Sequence, residues 1–123
     1  MQLLSLGRLT LRNLVLKLLG FGTVLLFGTY LLEKEYFSIG PVVLTVLTLT
    51  VIGVVADYVV VPRTGNLPSL LLGFPAMTVI IWAIAHLYPP TRITLATAVV
   101  MALFLGPIEY ALHQMILKNL PRV

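Results

Sequence analysis

The stretch Ala56-Asp-Tyr-Val-Val-Val-Pro-Arg-Thr-Gly-Asn-Leu-Pro-Ser69 joins two long apolar runs, and its punctuation decides how the chain is laid out. Pro62 has no backbone N–H and fits just past a helix end. Gly65 tolerates positive φ, Asn66 is suited to cap the next helix, and Pro68 is suited to its first turn. The segment Pro62-Arg-Thr-Gly-Asn66 therefore reads as a five-residue turn between two antiparallel helices. Asp57 stands inside the apolar run that precedes this turn, about one helical turn from its end.

Working outward, hydrophobic residues make up 59% of the 123-residue chain and charged residues only 10%, with a mean hydropathy of +1.07. A soluble domain carries about 25% charged residues, so this chain cannot clothe itself in polar surface. It reads as a single integral membrane domain spanning residues 1–123. A helix needs about 20 apolar residues to cross a hydrocarbon layer of about 30 Å. Four windows qualify, at about 14–32, 39–61, 67–87 and 93–117. Short connections make sequential helices antiparallel. The expected fold is all-α: a four-helix transmembrane bundle, up-down-up-down, with hairpins at 62–66 and 88–92 and both termini on one side.

Lysine and arginine set the orientation. Arg8, Arg12, Lys17, Arg63, Lys118 and Arg122 fall on the side of the termini; Lys34 and Arg92 fall on the other, with Glu33 and Glu35 beside Lys34. Six against two predicts that both termini lie in the cytoplasm. Residues 1–13 place Ser5, Arg8 and Arg12 on one stripe, which suits an interfacial segment on anionic headgroups, or a basic flank that only enforces orientation. The first apolar run offers no small-residue cleavage site in Phe27-Gly-Thr-Tyr-Leu-Leu-Glu-Lys-Glu35, so it is expected to be retained.

Ionisable residues inside a membrane segment are costly, and normally face the bundle interior and find partners. Measured along the helices, Lys17, Asp57 and His113 lie about one turn inside the boundary, and Glu109 about two. Arg63 sits just below. These five residues form the candidate polar cluster, an ion or lipid site. Glu109 and His113 are spaced i, i+4 and share a helix face, which runs back through Leu105, Ala102 and Ala98. A stripe of Thr50, Gly53 and Asp57 on the second span is its expected counterpart, bringing Asp57 near Lys17 or Arg63. Pro75 and Pro107 lie inside spans and are expected to bend them or locally break the backbone hydrogen-bond ladder. His86 lies beside Trp82 and Tyr88 in an aromatic interface belt near the other membrane boundary.

The sequence Ala56-Asp-Tyr-Val-Val-Val-Pro-Arg-Thr-Gly-Asn66 and the closing Gly106-Pro-Ile-Glu-Tyr-Ala-Leu-His-Gln114 resemble the YndM-like family of small four-helix bacterial membrane proteins. The resemblance covers about Leu44 to Leu117. It implies that Asp57, Pro62-Arg63, Gly65-Asn66, Glu109 and His113 match the family's pattern, while Gly73 stands where family members often carry an acidic residue. It implies the architecture and, with the charge bias, a multi-pass place in a bacterial inner (cytoplasmic) membrane; it implies no activity.

No cysteine is present, which removes disulfides, thiolate metal sites and cysteine nucleophiles. No phosphate loop, zinc-binding helix or serine elbow occurs. The two histidines are expected on opposite sides of the membrane, so no metal and no cofactor is expected. The leading expectation is a non-enzymatic structural or accessory membrane protein. Its basic cytoplasmic face would engage anionic lipid headgroups or a membrane protein partner, with homo-oligomers allowed and no nucleic acid. The alternative is a small channel or proton-coupled transporter subunit acting as an oligomer.

Overall fold

The computed structural model describes residues 2–31, 39–88 and 93–119. Lys34, Arg92 and Arg122, three of the cations in the orientation count, lie outside the described residues, as do Glu33, Glu35 and most of the 88–92 hairpin. The chain forms α1 (Gln2–Leu31), α2 (Ile39–Val59), the one-turn α3 (Val61–Thr64), α4 (Asn66–His86) and α5 (Leu95–Asn119). Helices α1, α2, α4 and α5 are each long and apolar enough to cross a membrane. A polar backbone in hydrocarbon must satisfy its hydrogen bonds internally, and continuous helices do so.

The long helices form a ring. Helix α1 packs on α2 and α5, and α4 packs on the same two; α2 and α5 touch only marginally across the centre. Of the four adjacent pairs, α2 and α4 pack least closely. Contacts gather early α1, late α2, early α4 and late α5 at one end, as in the hydrogen bonds Asn13–Asp57 and Asn66–His113. At the other end late α1 meets early α5 at Gly28–Met101, and early α2 meets Tyr88, just past the end of α4, at Gly40.

The outer surface is oily, with Leu19, Phe27, Val51, Leu71 and Phe104 each more than half exposed. The interior mixes apolar and polar groups. Along α1 every fourth residue from Leu9 to Leu25 is buried: Leu9, Asn13, Lys17, Phe21 and Leu25. Along α5, Ala98, Ala102, Leu105, Glu109 and His113 are all buried, so the stripe of small and ionisable residues faces inward. The alanines let neighbouring backbones come close, the usual basis of helix association in lipid.

The turn after α2 differs from the sequence expectation, and three other places add detail to it. Residues 2–13 are helical and continuous with the first span, with no proline among them. At 30 residues α1 is roughly 45 Å long at 1.5 Å per residue, so it exceeds a hydrocarbon core of about 30 Å. The turn after α2 contains the short α3, and Gly65 ends it with φ of 89°. Its N–H bonds back to the Val61 carbonyl at 2.8 Å. Asn66 is the first residue of α4 and its side chain caps nothing; Ser69 Oγ instead donates to the Gly65 carbonyl at 2.6 Å. Helices α4 and α5 continue through Pro75 and Pro107. Pro107 and Leu103, whose carbonyl loses its partner, are exposed on the side away from Glu109.

Ala98 and Ala102 are fully buried, whereas Ala111 on the same helix is exposed. Ala102→Leu should lower unfolding stability in detergent by about 1–3 kcal/mol through overpacking, while Ala111→Leu should leave it unchanged. Equal effects at the two sites would contradict the packing described.

Candidate functional site

Helix α1 contributes Asn13 and Lys17, α2 contributes Asp57, α4 contributes Asn66, and α5 contributes Glu109 and His113. Lys17 is fully buried, and Asp57, His113 and Glu109 are 1%, 4% and 7% exposed. The Lys17 ammonium donates to Glu109 Oε1 at 2.5 Å and lies 3.1 Å from Asp57 Oδ2. Its remaining side faces the Phe21 ring, 5.3 Å from the centroid, a distance at which a desolvated cation is attracted by the ring face. Lys17 reaches this position by lying across α2 at Gly53. A Cβ there would sit 3.0 Å from Nζ and 3.4–3.5 Å from the adjoining methylenes. The glycine of the Thr50–Gly53–Asp57 stripe is thus a trough for a lysine side chain.

Asp57 accepts a second hydrogen bond on Oδ2 from the Asn13 amide at 2.7 Å. On the other flank, His113 Nε2 is 2.9 Å from Glu109 Oε2 and 3.4 Å from Asp57 Oδ1. The second distance is beyond a normal hydrogen bond. Asp57 Oδ1 is therefore a buried carboxylate oxygen without a hydrogen-bond partner among the described residues.

The charge state of His113 follows from its neighbours. Its Nδ1 is 2.9 Å from Asn66 Oδ1. The Asn66 amide cannot be turned round without loss, because its Nδ2 donates to the Tyr110 carbonyl at 3.2 Å. Both ring nitrogens thus face acceptors, an amide oxygen on one side and carboxylates on the other, and only an imidazolium donates from both. Lys17 and His113 then balance Asp57 and Glu109, two charges of each sign, and the network is neutral. That balance is what permits its burial, since an unpaired charge in a low-dielectric interior costs several kcal/mol.

Of the residues anticipated, Lys17, Asp57, Glu109 and His113 come together, with Lys17 rather than Arg63 beside Asp57. Arg63 is exposed on α3, outside the cluster, because the one-turn helix ends the descent of α2 and points its side chain outward. Asn13 and Asn66 were not singled out for this site. Asn13 carries a usable signal: it sits four residues before Lys17 and so shares its face. Asn66 had none, because its turn role and its reach to α5 look alike in sequence. His86 lies near the far end of the bundle, its Nδ1 2.8 Å from the Trp82 carbonyl and its ring stacked obliquely on Trp82 at 4.5 Å.

A cavity of about 220 Å³ lies between α2 and α4 and reaches the cluster. Asp57, Glu109 and His113 line its inner end, Leu49 and Met77 its wall, and the exposed Ile52, Leu72 and Ala76 its mouth. Ligand atoms of Asp57, Glu109 and His113 lie within 4.8 Å of one another, which is metal-ligand spacing. A divalent ion fits the charges poorly. With Lys17 in place and neutral imidazole, two carboxylates would leave one positive charge uncompensated. The site as built holds a proton.

Lys17→Met should cost about 3–5 kcal/mol of unfolding stability, since it leaves a net buried negative charge. Combining it with Asp57→Asn restores neutrality and should recover a measurable part of that loss. Strictly additive effects in a denaturation series of the single and double variants would refute the ion pair.

No curated protein and no solved structure is significantly similar to this chain. A family described as "Protein of unknown function (DUF2512)" matches residues 9–122. That match takes in α2, α4 and α5 whole, all of α1 but its first turns, and every member of the ionic network, and the chain belongs to the DUF2512 family.

Proposed function

We propose that this is a structural or accessory protein of the bacterial inner membrane, akin to YndM-like proteins, with an up-down-up-down bundle and both termini cytoplasmic. The reading assigns no catalysis and no cofactor: its acids, ammonium and imidazole are bonded to one another and serve to fix helix packing. The observation that carries it is the sorting of the cations. Lys17 is drawn wholly inside, while Arg8, Arg12, Arg63 and Lys118 are exposed at the end where the cluster lies. Positive residues accumulate on the cytoplasmic side of membrane helices, and exposed ones attract anionic headgroups by about 1 kcal/mol each. The face so formed engages anionic lipid or an acidic membrane partner. The overlong α1 supports this, because Arg8 and Arg12 then project past the hydrocarbon to headgroup level.

In mixed micelles or nanodiscs, the protein should retain phosphatidylglycerol in preference to phosphatidylcholine. Replacing Arg8, Arg12 and Arg63 by Gln should reduce that preference by about fivefold per residue, without altering thermal stability. An unchanged lipid ratio in the triple variant would reject the reading.

One observation favours a second reading, a small channel or proton-coupled transporter subunit acting as an oligomer. The imidazolium of His113 and both carboxylates line a cavity, whereas a purely structural lock has no need of access. Under this reading, reconstituted vesicles should conduct protons, and Glu109→Gln should abolish the flux. Vesicles no leakier than protein-free controls would reject it.

A further inference from the structure

The inner end of the cavity between α2 and α4 has more acceptors than donors. Asp57 Oδ1 is 99% buried with its residue and accepts no hydrogen bond. Glu109 Oε2 and His113 Nε2 share one proton between them at 2.9 Å. Ligand atoms on these three residues lie within 4.8 Å of one another, so a single nitrogen placed among them can reach all three at about 2.9 Å, the ordinary N–H···O distance. From this point the walls become apolar out to the exposed Ile52, Leu72 and Ala76. A second cavity of about 360 Å³, between late α1 and α5, has walls such as Phe27, Met101 and Phe104 and no ionisable residue. Of these two cavities, the one between α2 and α4 combines charge with grease.

We infer that the cavity between α2 and α4 is a binding site for a primary ammonium carrying a compact apolar tail, taken up in exchange for the His113 proton. An R–NH₃⁺ group has three N–H donors, matching Asp57 Oδ1, Glu109 Oε2 and His113 Nε2. Its arrival with His113 still doubly protonated would leave one surplus positive charge among Lys17, His113, Asp57 and Glu109, the ionisable groups that face one another here. The Nε2 proton therefore departs to solvent as the ammonium enters. His113 keeps its Nδ1–H on Asn66 Oδ1, and Nε2 becomes an acceptor. One positive charge enters and one leaves, and the network stays neutral. The tail lies along Leu49, Ala76 and Met77. A volume of about 220 Å³ is below the roughly 300–1,000 Å³ typical of drug-sized ligands, so small amines are selected. The inference assigns a ligand that neither reading above supplies, and it requires neither flux nor anionic lipid.

The test is calorimetric titration of the full-length protein in non-ionic micelles with benzylammonium chloride, against empty micelles, in two buffers of different ionisation heat. Saturable binding at one amine per chain is expected, with about one proton released per amine. Benzyl alcohol and benzyltrimethylammonium, which lack the charge or the N–H donors, should bind at least tenfold more weakly. Asp57→Asn should weaken binding at least tenfold. Because that variant also disturbs the ion pair and its folding, Gly73→Leu provides the second arm. Gly73 lines the cavity and nothing lies within 4 Å of a Cβ added there. Leucine should thus fill the space, abolish binding and leave thermal unfolding unchanged. Absence of saturable binding to the folded wild type, binding without proton release, equal affinity for the alcohol, or full binding by Gly73→Leu would each overturn the proposal. None of these results bears on the headgroup preference of the basic face.

Discussion

Everything in this bundle is arranged around one electrostatic requirement: four ionisable groups are buried together among apolar helices, so their charges must cancel there. The Lys17 ammonium, set between Asp57 Oδ2 at 3.1 Å and Glu109 Oε1 at 2.5 Å, is the keystone. It ties α1 to α2 and α5, two helices that scarcely touch each other. His113 completes the balance and passes the connection to α4 through Asn66. In water such pairs are worth little. In an apolar bundle the alternative to pairing is an isolated buried charge, so the pairs dictate which helices must be neighbours.

The same requirement explains how small residues are used. Gly53 is neither a turn nor a hinge; it is the gap through which Lys17 lies across α2. Ala98 and Ala102 bring α5 close enough for the carboxylate of Glu109 to meet a side chain from α1. Apolar packing between helices gains little over contact with lipid. Small residues and polar bonds thus supply the specificity that a hydrophobic core supplies in a soluble protein.

Much of this was legible in the order of residues. Four apolar runs broken by Pro62, Gly65 and a charged Glu33-Lys-Glu35 segment define the helices, because hydrocarbon thickness fixes their length. Glu109 and His113 were readable as a pair from their i, i+4 spacing. Lys17 and Asp57 were readable as partners from equal depth and opposite sign. The choice of Lys17 over Arg63 was not, since it turns on a glycine trough and on the one-turn α3, both tertiary facts. Asn66 was misplaced for a similar reason. A capping bond and a bond to the neighbouring helix begin from the same side chain, and only the approach of α5 decides between them. The cavity between α2 and α4 leaves no trace in composition or periodicity, because it arises from how loosely two helices pack.

The wide spacing of the network along the chain has a consequence for biogenesis. Lys17 and Glu109 are 92 positions apart. A polypeptide threaded into the bilayer from its amino terminus therefore delivers an ammonium to the lipid long before both counter-ions exist. Asp57 supplies the first carboxylate as soon as α2 follows, and α5 arrives with a pair of its own, Glu109 and His113, so each addition after α2 is neutral. The last helix thus adds a second bond to an ammonium already paired, and a chain ending before it would lack cross-links between helices rather than a balancing charge.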